Sequence, residues 1–298
     1  MTLVLFGLFF LFMLLGVPIA FAIGASSLYA LYQSGVPLMV VTQQMFQGIN
    51  SFALVAIPMF ILAGDLMAQG KVSERLVSFA DSLVGFMRGG LSVVSVMAGM
   101  FFAAISGSGA ATTAAVGSSL VPELKRKGYD PASAASLIAA SGTIGVVIPP
   151  SVPMIIYAVI AQQSVSELFL NGFLPGLAMG VALMAIAITQ AYKRQYPKGT
   201  PLSLATMWRT FKAASWGLMT PVIILGGIFS GIFTPSEAAV VAVNYALLVS
   251  LFVYRDLTLP QVYKLLIRSA MTTAVIMLVI AMSAVLSWTL SSWQVPGA

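Results

Sequence analysis

Residues 88–127 read RGGLSVVSVMAGMFFAAISGSGAATTAAVGSSLVPELKRK. Both ends are basic, Arg88 on one side and Lys125, Arg126 and Lys127 on the other. Basic residues gather at the cytoplasmic ends of membrane segments, so both ends belong on the same side. The midpoint falls at Ser106 and Gly107. Each limb is then about 16 residues, or about 24 Å of helix, short of a hydrocarbon core of about 30 Å. A helical hairpin that enters from the cytoplasm and turns partway through fits these lengths. A pair of short spans with a small outer turn is the other reading.

The rest of the chain has the composition of a membrane protein. Of 298 residues, 59% are hydrophobic and 7% charged, and mean hydropathy is +1.01; soluble proteins are about 25% charged. Fourteen Lys+Arg and eight Asp+Glu cannot furnish a water-facing surface. The fold expected is an all-α polytopic membrane protein with room for about eight to ten spans. The absence of His and Cys excludes disulfides, thiolate nucleophiles, Cys/His zinc sites, His-ligated haem and a Ser-His-Asp triad. The acids are scattered, so neither a transition-metal site nor a catalytic residue is assigned. The net charge of +6 sits at segment ends and points to the lipid bilayer, not to nucleic acid.

Residues 1–70 read as N-terminal spans. The first 32 residues carry no charge and are interrupted at Gly16, Val17 and Pro18, giving one tilted helix or two short ones. Without a basic n-region this is a retained segment, not a signal peptide, and the side of the N-terminus stays open. An uncharged loop at 33–50 precedes a span at 51–69. Residues 71–88 interleave Lys71, Glu74, Arg75 and Asp81 with Val72, Leu76 and Phe79, the pattern of an amphipathic interfacial helix. The proposed re-entrant hairpin covers 89–125 and a broken transmembrane helix 131–163. Further membrane and interfacial helices fill 172–298, with spans at 172–192, 217–233, 236–254 and 269–293 and amphipathic links at 202–215 and 259–269. Trp288 and Trp293 sit where an aromatic belt would be.

Two segments break the apolar pattern at membrane depth: the hairpin tip SGSGAATT at 106–113, and SGTIGVVIPPS at 141–151. Pro149 and Pro150 lack the N–H that continues a helix, so the helix is expected to stop near Ser141 and restart near Val152. Irregular backbone at that depth is tolerated where it is buried or lines a wet cavity. Broken helix ends expose carbonyls at one terminus and N–H groups at the other. Carbonyls near Ser106 and Ser141, with the hydroxyls of Ser106, Thr112 and Thr143, offer a Na+ site. N–H groups near Gly109 and Ala110, and near Ser151 and Val152, offer an anion site. Candidate Na+/substrate residues are therefore Ser106, Gly107, Ser108, Gly109, Ala110, Thr112, Thr113, Gly142, Thr143, Gly145, Pro149, Pro150 and Ser151. Runs of small residues also occur at close helix–helix contacts, which is the structural alternative for each segment alone.

Asp65 is an acid inside an apolar span and so a candidate intramembrane site, although interfacial solvation near the span's end explains it equally. Glu237, in Thr-Pro-Ser-Glu at 234–237, is best read as stabilising the first turn of a helix. The chain has no Walker A sequence, so transport would draw on an ion gradient or a separate ATPase.

Six motifs come in order: PMFILAG at 58–64, SGSG at 106–109, KGYDP at 127–131, IPPS at 148–151, FLPG at 173–176 and FTPSEAA at 233–239. Together the chain resembles the large membrane subunit, DctM type, of tripartite ATP-independent periplasmic (TRAP) transporters. The resemblance implies an elevator-type, Na+-coupled symporter in the bacterial inner membrane that imports a small organic anion such as a C4-dicarboxylate or sialic acid. It also implies a periplasmic substrate-binding protein that delivers the substrate, a small four-helix membrane subunit, and no organic cofactor. The family's first hairpin tip matches 106–113 and its first broken helix 142–151. Its second half carries another hairpin and another Pro-Pro break. No Pro-Pro pair follows residue 151 here, and the expectation is a chain truncated before that half. A standalone anion permease, or an inactive assembly fragment, is the alternative.

Overall fold

The computed structural model describes residues 1–199 and 201–295. Regular structure among them is helical, apart from an isolated antiparallel bridge between Arg88 and Lys198. Among the described residues, five helices are long and apolar enough to cross a membrane, or six with a bent pair counted as one span. The chain is an all-α polytopic membrane protein. Thr2–Leu14, Ile19–Gln33 and Gly90–Ser106 are shorter apolar helices.

Contacts divide the chain into two units, Met1–Leu54 with Ala270–Ala298, and Val55–Ser269. In the first, α1 (Thr2–Leu14) and α2 (Ile19–Gln33) are separate helices: Gly16 takes a left-handed conformation, φ +79°, that closes α1, and Pro18 stands at the start of α2. Residues 33–50 are not a plain loop. Helix α3 (Met39–Ile49) forms there, its Val41 clustered with Leu31 and Val285, and Trp288 packs against that cluster.

A 3-10 turn (Phe52–Val55) covers the unit boundary in the sequence, and α4 (Ala56–Gln69) is the first helix of the second unit. Helix α5 (Val72–Val84) is amphipathic and buries Val72, Leu76 and Ala80. The hairpin limbs are α6 (Gly90–Ser106) and α7 (Gly109–Arg126). Helix α8 (Pro131–Val147) and α9 (Val152–Ile160) are bent by 42° at the Pro-Pro break. Helix α10 is Val165–Lys193, α11 Leu204–Phe229 and α12 Pro235–Leu248, the last continued by a π turn at Val249–Val253. The final helix, α13 (Leu259–Ser292), passes from one unit into the other. The expected splits at 215–217 and near 269 are absent, since a change from amphipathic to apolar sequence alters a helix's surroundings without breaking its ladder.

Helix starts follow from caps. The side chains of Ser108, Asp130, Ser151, Ser164 and Ser203 each accept a backbone N–H three residues on. Thr234 and Glu237 form a reciprocal capping box, the first-turn role read for Glu237. The core of this unit joins α6, α8 and α10 through Val93, Val96, Leu137, Ile144 and Ala187. Only 22% of the apolar window of α10 is buried, leaving its remaining surface for lipid.

The two ends of the hairpin meet one loop. Gly89 N–H donates to the Pro197 carbonyl at 3.0 Å. At the other end, Arg194 binds Asp130 at 2.9 Å and Tyr129 lies against Tyr196, ring centroids 4.1 Å apart. The basic stretches near 88, 125–127 and 193–198 thus gather at one end of the unit, and the hairpin returns to the side it started from.

Candidate functional site

Helix α6 ends because Gly107 takes a left-handed conformation, φ +60°. Ser108 then caps α7 through the Ala111 N–H, so the chain reverses in two residues. The Ser106 and Thr112 hydroxyls, one on each limb, lie 2.9 Å apart and are both buried. The Ser108 carbonyl lies 3.4 Å from the same Ser106 hydroxyl.

The break in α8–α9 lies directly against this tip. The Val152 N–H donates to the Gly107 carbonyl at 3.2 Å. A Cβ on Gly107 would run into the Pro150 carbonyl, and one on Gly142 into the Thr113 hydroxyl. A Cβ on Gly145 would stand 2.7 Å from Thr112 Oγ1 and 3.0 Å from the Ser108 carbonyl, and one on Gly109 2.9 Å from the Gly142 carbonyl. These glycines let two polar backbones approach where side chains would hold them apart. On the other side, a Cβ on Gly64 of α4 would sit 3.1 Å from Ser106 Cα and its carbonyl.

The helix does not stop near Ser141; α8 runs on to Val147. Glycine permits a break, but only the missing N–H groups of Pro149 and Pro150 enforce one. Those two prolines deprive the Gly145 and Val146 carbonyls of their helical donors. The Ser151 hydroxyl takes the Val146 carbonyl at 2.6 Å, and the Gly145 carbonyl is left with no donor from its own ladder. Ser141 is buried mid-helix with its hydroxyl on the Ile138 carbonyl. The Val152 N–H, offered by the sequence as an anion donor, is taken by Gly107. The α7 N-terminus at Gly109 and Ala110 is the remaining N–H pair.

The structure therefore brings together Ser106, Gly107, Ser108, Gly109, Thr112, Thr113, Gly142, Gly145, Pro150 and Ser151. Pro149 shapes the break from within it. Ala110 and Thr143 are exposed outside this cluster, and the Thr143 hydroxyl bonds back to the Ala140 carbonyl at 2.7 Å. Asp65 accepts the Ser269 hydroxyl at 2.8 Å, a contact across 204 residues that no local pattern signals. Oxygen ligands and broken helix ends suit a hard monovalent cation. Among the described residues, no group of three or more His, Cys, Asp or Glu could hold a metal ion.

A hairpin tip buried against a broken helix, in an apolar multi-helix chain, is the discontinuous-helix arrangement used by secondary transporters. Residues 6–298 match the family described as tripartite ATP-independent periplasmic transporter, DctM component. The chain is 42% identical over 296 residues to the isethionate TRAP transporter permease protein of Oleidesulfovibrio alaskensis, covering 98% of this chain and 46% of that one. It is 38% identical over 312 residues to the C4-dicarboxylate TRAP transporter large permease protein of Rhodobacter capsulatus, covering 100% and 71%. The sialic acid TRAP transporter permease protein of Haemophilus influenzae is 38% identical over 271 residues, covering 90% and 44%. The chain spans less than half the length of the first and last of these. It belongs to the DctM family of TRAP transporter large permease subunits, multi-pass proteins of the bacterial inner membrane.

Proposed function

We propose that the chain forms part of a Na+-coupled importer of a small organic anion, and that coupling resides where the hairpin tip meets the α8–α9 break. The observation that carries this reading is the buried Ser106–Thr112 hydroxyl pair beside the Ser108 carbonyl. Na+ is held by these oxygens, with the Gly145 carbonyl as a further candidate. The substrate's anionic group takes the Gly109 and Ala110 N–H groups at the start of α7. Relatives named for C4-dicarboxylate, sialic acid, 2,3-diketo-L-gulonate and isethionate support an organic anion as cargo. A carboxylate is the favoured class, and the isethionate relative extends it to a sulfonate.

The Val152–Gly107 bond makes hairpin and broken helix travel as one body in an elevator-type cycle. A periplasmic binding protein presents the anion and a small four-helix membrane subunit completes the complex. The chain moves its substrate without chemical change and needs no organic cofactor. The test is uptake of labelled C4-dicarboxylate and sialic acid into proteoliposomes holding the full-length permease, its small subunit and its binding protein. An inward Na+ gradient should drive accumulation. Uptake that is unchanged when K+ replaces Na+ would remove the coupling.

A further inference from the structure

Between α5 and α11 lie two adjoining cavities. The larger, about 370 Å³, is lined by Lys71, Glu74, Arg75, Ser78, Arg209 and Thr210. The smaller, about 240 Å³, shares Ser78, Arg209 and Thr210 and adds Asp81, Ser203 and Thr206. A hydrogen bond of 2.8 Å between Ser82 and Thr210 holds the two helices together beside them.

Arg75 is fixed in place before any ligand arrives. Its guanidinium carbon lies 3.4 Å from the centroid of the Tyr254 ring. Its Nη1 is 3.6 Å from Oδ2 of Asp256, whose side chain is only 4% exposed. Asp256 Oδ2 also accepts the Lys71 N–H at 2.7 Å. A guanidinium held by a ring and a carboxylate loses little freedom on binding an oxyanion. Arg209 and the Lys71 ammonium, by contrast, make no ion pair among the described residues. The three cations face Glu74 in the larger cavity and Asp81 in the smaller. The Ser203 hydroxyl accepts the Thr206 N–H, which leaves its own hydrogen as a donor at the start of α11, where the helix dipole favours an anion.

Depth selects the source of the anion. The cavities lie beside the first turns of α11, and that helix then continues as an apolar span to Phe229. Polar ends of spans sit at the level of lipid headgroups. On the adjacent face Leu204 and Trp208 are 71% and 68% exposed, apolar surface suited to a glycerol backbone and acyl chain. We infer that the α5–α11 groove binds the phosphate group of a membrane phospholipid, with Lys71, Arg75 and Arg209 as its ligands.

Native mass spectrometry of the purified full-length permease in detergent tests this with phosphatidylglycerol as probe. Diacylglycerol serves as the phosphate-free control, and glycerol 3-phosphate and inorganic phosphate as soluble competitors. Saturable binding of the phospholipid is expected, with diacylglycerol bound at least roughly tenfold more weakly. Arg209→Gln and Lys71→Gln should each weaken phospholipid binding roughly tenfold, the effect of one lost charge-assisted contact. Lys264→Gln, an exposed base elsewhere, should leave it unchanged. Equal binding of diacylglycerol, or undiminished binding in both groove variants, would overturn the site. Competition by glycerol 3-phosphate or inorganic phosphate at the lipid's own affinity would overturn the lipid as its source.

Discussion

The Val152 N–H donates to the Gly107 carbonyl across 3.2 Å, joining the first turn of α9 to the turn of the hairpin. Gly107 is held there by its φ of +60° and by the Pro150 carbonyl where a side chain would stand. Gly107→Ala should therefore lower stability by about 1–3 kcal/mol and slow uptake more than it lowers expression. Thermal unfolding and proteoliposome uptake on the same preparation check this.

Ser106 and Thr112 share a buried hydrogen bond. Ser106→Ala strands the Thr112 hydroxyl, at a cost of about 1–3 kcal/mol, whereas Thr112→Ala leaves Ser106 its contacts with Ser108 and should cost less. The double variant Ser106→Ala/Thr112→Ala should cost less than the sum of the two, because no polar partner is left behind. A double-mutant cycle by thermal or chemical unfolding reads the difference; strict additivity would mean the two hydroxyls are uncoupled.

Asp256 ties Lys71 and Arg75 to the segment between α12 and α13. Asp256→Ala leaves the Arg75 charge in a largely buried place and uncaps the start of α5, with an expected loss of about 3–5 kcal/mol. Replacing the pair together, Arg75→Leu with Asp256→Met, should recover much of that loss. Unfolding midpoints of the single and paired variants in detergent decide it.

Acid should weaken one contact at the basic end. The Ser133 N–H and side chain, and then Arg194, hold the Asp130 carboxyl below its ordinary value of 3.8. A depressed acid stabilises the fold fully above its unfolded value and loses that contribution as pH falls through its folded value. Wild type should thus unfold at a higher temperature than Asp130→Asn at neutral pH, and the gap should close below pH 3.8. A gap that widens in acid would reverse the sign.

What the sequence can disclose follows from range. The hairpin is legible because its signals are local: bases at both ends, too few residues per limb, and a Ser-Gly repeat at the midpoint. The Pro-Pro break is legible for the same reason, but an edge at Ser141 follows only if glycine is weighted like proline. Helix α3 is hidden because Gln43, Gln44 and Gln47 mask an apolar pattern that tertiary packing completes. That the tip and the break touch is not readable from either motif. The same holds for Asp65 with Ser269 and for Asp256 with Lys71, contacts separated by 204 and 185 residues.

The most direct test of the coupling site is the Na+ concentration that gives half-maximal uptake in the reconstituted full-length transporter. Removing a single oxygen ligand with Ser106→Ala or Thr112→Ala should raise it roughly tenfold, about 1.4 kcal/mol of binding. Thr143→Ala, whose hydroxyl is bonded back to Ala140, should leave it unchanged. An unaltered Na+ requirement in both the Ser106 and Thr112 variants would contradict a Na+ site at the meeting of hairpin and broken helix.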